Sequence, residues 1–312
     1  MKRASIDLGT NTCLLLIEEV SSEGSTILHD ESNVVRLGQG VDKAGEFNPE
    51  AMERAKKCLI HYANIAKNFG VDPKTILAVG TAQARDSRNA KAFFASVELE
   101  CGIRFRILTG DEEAKATFLG AALPGIKTSQ MVVLDIGGGS TELVAMPDAS
   151  SGIAAGIFGE SVNIGAVRMT ERYLKSDPVT DDEFWECEDI INQSIEHLCP
   201  WRKSLPAKMK SEPTLVAVAG TAVTLAMLQE SMTSYDREAL DGMILTQGDV
   251  HRLVEELKWR TIIERQAMTG MEVKRADVLL AGALIFWRVM EVLDFKEARI
   301  STRGLRYGVF HL

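Results

Sequence analysis

Apolar positions recur along the chain in two alternating rhythms. Residues 4–20 read as two strands joined by a turn at residues 9–11. Asn48 then caps a helix that Pro49 opens and Gly70 closes. Met52, Ala55, Leu59, Tyr62, Ala63 and Ala66 return at three- and four-residue steps and give that helix one apolar face. Residues 75–80 and 103–109 predict short strands, with a helix at 89–100 between them and another at 112–120 after the second. At residues 124–130 the composition turns to loop.

A second unit follows. Residues 131–135 form a continuous apolar strand, then come a glycine-rich turn and a strand at 142–146. The opening of the chain has the same order: strand, aspartate, glycine turn with a hydroxyl residue, strand. The echo suggests a duplicated architecture with one phosphate-facing turn per half. Further on, Thr180 with Glu183 forms a capping box before a helix through Leu198. A strand at 215–219 runs into Gly220-Thr221 and a helix, and Thr246 caps a helix through Leu257. The most apolar segment, residues 278–287, is too short to span a bilayer and reads as a buried core helix.

Length and charge narrow the field. A chain of 312 residues, 46% hydrophobic and 25% charged, has the size of two domains with a core each. A formal charge of −9 with no basic stripe argues against nucleic acid as a partner. Any polyanionic substrate needs local arginines and cations to overcome that field. The five cysteines are odd in number and form no CxxC pair, so reduced thiols in a cytoplasmic protein are the expectation. The start, MKRASIDLG, has no signal-peptide core, and no membrane segment is expected.

The chemistry centres on the two turns, DLGTNT (residues 7–12) and DIGGGSTE (residues 135–142). After a buried strand, a glycine turn lets backbone N–H groups converge on an anion because no Cβ blocks the approach. Thr10, Thr12, Ser140 and Thr141 add hydroxyls, and Asp7 and Asp135 stand at strand ends where a carboxylate can hold Mg²⁺. Three successive glycines, Gly137, Gly138 and Gly139, exceed what a plain hairpin needs. Arg85, in GTAQARD, is placed to clamp a phosphate. In TGDEEA, Asp111 and Glu112 suit a first helical turn, and a glutamate there facing phosphate is equipped to orient a water. Zinc-protease, nucleophile-elbow and dinucleotide motifs are absent, and residues 120–128 only approach a Walker A loop.

Taken in order, DLGTNT, GTAQARD, TGDEEA, DIGGGSTEL, GAVRMTE, AVAGTAVTLA, GMEVKRADVLLAGA and STRGLRYG resemble the exopolyphosphatase/guanosine pentaphosphate phosphatase (Ppx/GppA) family over essentially the whole chain. The resemblance implies an α/β fold of two ribonuclease H-like lobes around a cleft, within the sugar kinase/heat-shock protein 70/actin superfamily. The lobes are expected at residues 1–127 and 128–297, with residues 298–312 crossing back to the first. It also implies site residues: Glu113 as the catalytic, water-activating acid, and Asp7, Asp135 and Glu142 as metal ligands. Thr10, Asn11 and Thr12 form the first phosphate loop, Gly137, Gly138, Gly139, Ser140 and Thr141 the second, and Arg85 binds the phosphate chain. Gly220-Thr221 falls where nucleotide-binding relatives carry an adenosine motif. Relatives are commonly dimers, so a homodimer is expected.

The expected reaction is in-line attack of water on the terminal phosphate of inorganic polyphosphate. Guanosine pentaphosphate is the alternative substrate. Four acids meeting a phosphate chain repel at about 4 kcal/mol per close pair at an effective dielectric near 20. A divalent cation is therefore required: Mg²⁺, with Mn²⁺ as the alternative. Longer relatives add helical domains after the STRGLRYG motif, so short chains are the expected substrate. Arg88, Arg168, Lys274, Arg275, Arg303 and Arg306 are further candidates for guiding the chain. A small-molecule kinase and a non-catalytic sensor are the rival readings.

Overall fold

The structure is a computed structural model, and it describes residues 1–146, 156–205, 209 and 213–312. The chain folds as two compact units, Met1–Gly120 with Leu305–Leu312, and Ala121–Gly304.

In the first unit, strands β1 (Lys2–Leu8), β2 (Thr12–Ser21) and β3 (Gly24–Val34) form an antiparallel meander. Strands β4 (Leu77–Gly80) and β5 (Phe105–Ile107) lie parallel on the other side of β1, giving the order β3-β2-β1-β4-β5. The predicted amphipathic helix is Pro49–Asn68, and Asn48 Oδ1 accepts the Ala51 N–H at its start. Its stripe of Ala51, Ala55, Leu59, Tyr62, Ala63 and Ala66 is buried on one face of this sheet. Val79 points to the opposite face, as strand alternation requires, and packs with Leu108, Ala116, Leu305 and Val309.

Within this unit, β3 is the strand the apolar pattern does not announce. It is an edge strand, its sequence GSTILHDESNV is mostly polar, and only fractions of it are covered. The helix after β5 starts at Gly110, with Asp111, Glu112 and Glu113 in its first turn.

The second unit repeats the plan. Strands β6 (Met131–Ile136), β7 (Thr141–Ala145) and β8 (Phe158–Val162) form the meander, and β9 (Thr214–Val218) and β11 (Glu297–Ile300) run parallel to β6. One more strand, β10 (Ile244–Thr246), closes the edge, giving β8-β7-β6-β9-β11-β10. Leaving β10 aside, the two sheets share one order, the ribonuclease H-like order the resemblance implied. The capping boxes at Thr180–Glu183 and Thr246–Asp249 are both formed, and helix Leu279–Val292 is buried along most of its length. Because β11 belongs to the second sheet, the returning segment begins at Leu305 and not near residue 298.

Candidate active site

The first turn joins β1 to β2. The Gly9 N–H closes it on the Thr12 carbonyl at 2.8 Å. Its other carbonyls face the segment that follows β3: Gly38 N–H donates to Thr10 O at 2.8 Å, and Val35 and Arg36 N–H to Asn11 O at 2.9 Å each. The N–H groups of Thr10 and Asn11 donate to nothing among the described residues. A peptide whose carbonyl edge is occupied and whose N–H edge is open is an anion receptor.

The second turn is built the same way. Gly137 N–H closes on Ser140 O at 3.0 Å. The carbonyls of Gly137 and Gly138 accept the N–H groups of Ala166, Val167 and Arg168, each at 2.9 Å, from the first turn of helix Ala166–Tyr173. Gly138 and Gly139 N–H, and the Ser140 hydroxyl, make no hydrogen bond among the described residues. Each turn is also pressed by a glycine from that following segment. A Cβ on Gly38 would lie 2.3 Å from Thr10 Cγ2, and one on Gly165 would lie 2.5 Å from the Gly138 carbonyl carbon. Motif reading missed Gly38, and took Gly165 only as part of GAVRMTE. A glycine at the matching place after each meander was the available signal.

Thr141 has a different part from the one expected. It is fully buried and its hydroxyl donates to Ile164 O at 2.7 Å, so its proton holds the turn in place and is not available to a ligand. Thr12 begins β2 in register with Val34.

Two pairs of acids accompany the turns. Asp7 lies on β1, one residue before its end. Its Oδ1 is buried with no hydrogen-bond partner, and burial, with the nearby Glu113 charge, pushes its pKa up to about 7. Arg306 opposes that rise. Glu113 is mostly buried, and its Oε2 pairs with Arg85 Nη1 at 2.6 Å. Desolvation raises the Glu113 pKa, and the Arg85 bond and charge pull the other way. Arg85 also donates to Leu108 O at 2.9 Å, which fixes the guanidinium between the β5 exit and the helix bearing Glu113.

In the second unit Asp135 and Glu142 sit directly opposite each other on antiparallel β6 and β7. Ser161, opposite on β8, donates to Glu142 Oε1 at 2.9 Å. Like charges directly opposite in a sheet cost stability, by up to about 1 kcal/mol.

Among the described residues no three His, Cys, Asp or Glu side chains gather into a metal cage. The acids come instead as a pair per unit, one of them with an orphaned buried oxygen. That donor set fits a hard cation such as Mg²⁺, which keeps several waters and takes one or two carboxylates plus substrate phosphate.

Several candidate cations are committed elsewhere. Arg306 is buried in a two-pronged bond to Asp30, at 2.9 and 3.0 Å, and Tyr307 donates to the same carboxylate at 2.7 Å. Arg303 pairs with Asp241 at 3.3 Å, and Arg275 with Glu272. Arg275 lies over Gly220, where a Cβ would come within 2.2 Å of its guanidinium carbon. Arg88 is an exposed partner of Glu46 at 3.4 Å.

Known proteins match this chain throughout. The model of the Ppx/GppA phosphatase family matches residues 16–311. Exopolyphosphatase 2 of Mycobacterium tuberculosis is 36% identical over 292 residues, 90% of this chain and 88% of that one. The crystal structure of an exopolyphosphatase from Cytophaga hutchinsonii superposes with a TM-score of 0.85 at 26% identity, covering 100% of this chain and 97% of that one. The Ppx/GppA family member of Aquifex aeolicus gives 0.78 at 28% identity, over 99% and 96%. Matched by the family model over nearly its whole length, and by relatives over most of theirs, the chain belongs to the Ppx/GppA phosphatase family.

Proposed function

We propose that this enzyme is an exopolyphosphatase: a hydrolase of phosphoric anhydride bonds that releases the terminal phosphate of inorganic polyphosphate. The observation that carries the reading is the half-neutralised Glu113. A mostly buried carboxylate with a raised pKa, held by Arg85 and set beside Asp7, is poised as a general base. A pure phosphate binder has no use for such an acid, since it repels the ligand.

In this reading the N–H groups of Thr10, Asn11, Gly138 and Gly139 bind phosphate oxygens. Glu113 orients the attacking water and takes its proton. Arg85 offers its guanidinium to the chain, and its bond to Glu113 keeps the base ionised until substrate arrives. Asp7 in the first unit, and Asp135 with Glu142 in the second, are the carboxylates that would bind divalent cation, which would supply neutralisation of phosphate charge. The shared name of the relatives at 36% and 26% identity favours polyphosphate over guanosine pentaphosphate. None of the five cysteines is in a disulfide, a state that persists in the cytoplasm, the proposed location.

The test is phosphate release in Mg²⁺ from short polyphosphate, long polyphosphate and guanosine pentaphosphate, for wild type and Glu113→Gln. Release from polyphosphate that collapses in the variant supports the reading. Release from guanosine pentaphosphate alone would transfer it to the other substrate, and wild-type turnover by the variant would remove Glu113 from the mechanism.

A further inference from the structure

Gln83 is almost fully buried in the short helix Ala82–Asp86, two residues before Arg85, and no part of the reaction described so far uses it. Its amide nitrogen donates to the carbonyl of Leu8, the last residue of β1, at 2.7 Å. Its Oε1 faces two hydroxyls, Thr81 at 3.0 Å and Thr10 at 3.4 Å. A carbonyl can only accept, so Leu8 fixes which end of the amide points where. Oε1 must then be the acceptor for both hydroxyls, and the Thr10 proton is directed at Gln83.

Thr10 is held from its other side as well, since its methyl is packed where a Cβ on Gly38 would intrude at 2.3 Å. Hydroxyl and methyl are thus both assigned, which sets the side-chain rotamer. The oxygen presents lone pairs, and no proton, in the remaining directions. In the first turn, phosphate is then left to the open N–H groups of Thr10 and Asn11. An oxygen that can only accept suits a water.

We propose that Gln83 is a positioning residue that turns Thr10 into an acceptor, so that the Thr10 oxygen holds a reacting or cation-bound water and does not donate to phosphate. The inference rests on the exopolyphosphatase reading and makes a distinct claim within it. It reverses the polarity expected of Thr10 from its place in the motif.

The experiment is a double-mutant cycle of Gln83→Met and Thr10→Val. It reads kcat and KM for phosphate release from a short polyphosphate, with the thermal midpoint alongside. Both variants keep volume and remove the bond. Each is expected to lower kcat about tenfold or more with KM nearly unchanged, and the double variant to be no worse than Thr10→Val alone. Thr10→Ser keeps the hydroxyl and is expected to recover most of kcat. Should Gln83→Met fail to fold, Thr10→Val and Thr10→Ser still decide the polarity. A rise confined to KM in Thr10→Val would show Thr10 donating to phosphate and overturn the proposal. Effects of the two substitutions that multiply would also overturn it. Active wild type with either result sinks only this inference, and wild type inactive on every chain sinks the function reading and this one with it.

Discussion

Replacing Gly165 with alanine tests the geometry of the second turn. The new Cβ would stand 2.5 Å from the Gly138 carbonyl carbon and 2.6 Å from both Gly138 O and Gly139 C. All three atoms are backbone, so no side chain can rotate away. Ordinary contact begins near 3.4 Å, and the turn must retreat by about 0.9 Å or the helix behind it must. Moving by that much stretches the three 2.9 Å bonds from Ala166, Val167 and Arg168 beyond hydrogen-bonding range. At about 0.5–1.5 kcal/mol each, partial loss of three bonds agrees with the roughly 1–3 kcal/mol typical of overpacking. For a unit of this size the thermal midpoint should fall by about 3–10 °C. Activity should suffer more than stability. If that turn binds phosphate as proposed, a displacement near 1 Å is expected to lower kcat/KM by about a hundredfold. Gly248→Ala serves as the comparison, because its Cβ would meet only Thr246 Oγ1 at 3.8 Å. Differential scanning calorimetry and phosphate release on the three proteins check the expectation. Wild-type values for Gly165→Ala in both assays would refute the close-approach argument.

Glu113→Gln should unfold at the wild-type temperature, within about 1–2 °C, and lose turnover by about a hundredfold to ten-thousandfold, read as phosphate release. Removing the cation that steadies Glu113, in Arg85→Ala, should raise the Glu113 pKa further; the acid limb of the kcat profile then moves to higher pH, and an unmoved limb speaks against the pair. For Asp7 the folded-state pKa near 7 lies above the ordinary 3.8, so the fold loses stability as pH rises through that window. In chelator, Asp7→Asn should therefore stabilise the protein at pH 8, by on the order of 2–4 kcal/mol, and have little effect at pH 4; equal effects at both pH values would contradict the buried, partnerless carboxylate. EDTA should abolish phosphate release and Mg²⁺ restore it, and full activity in chelator would refute the charge argument.

The fold was legible where burial imposed a period. The stripe of helix Pro49–Asn68, the apolar run of β6 and the capping boxes at Thr180 and Thr246 all carry a local signal. β3 and β8 carry little, because edge strands need only one covered face and tolerate polar residues. For the site, motifs located both turns but not what shapes them. That Thr141 spends its hydroxyl on Ile164, or that Gly38 presses Thr10, is settled by chain segments more than 20 residues away. The arginines make the same point in reverse. STRGLRYG advertises two cations, yet Arg306 serves Asp30 and Arg303 serves Asp241, and only tertiary contacts distinguish such anchors from Arg85, which pairs with Glu113. Likewise, the motif contains Asp135 and Glu142, but only the strand register sets them opposite one another with Ser161 beside Glu142.

The return of Leu305–Leu312 to the first unit has a consequence for synthesis. Ser5 Oγ donates to Arg306 O at 2.6 Å, Asp30 receives Arg306 and Tyr307, and Gly308 sits so close to Ala116 that a Cβ would overlap its carbonyl oxygen at 1.7 Å. On the ribosome, residues 1–120 emerge long before residue 305. At about 5–20 residues per second the gap of roughly 185 residues lasts about 10–40 s. Through that interval Val79, Leu108 and Ala116 lack Leu305 and Val309, and Asp30 lacks its guanidinium. The nascent first unit is thus a sheet with one face unfinished until the last motif arrives to seal it.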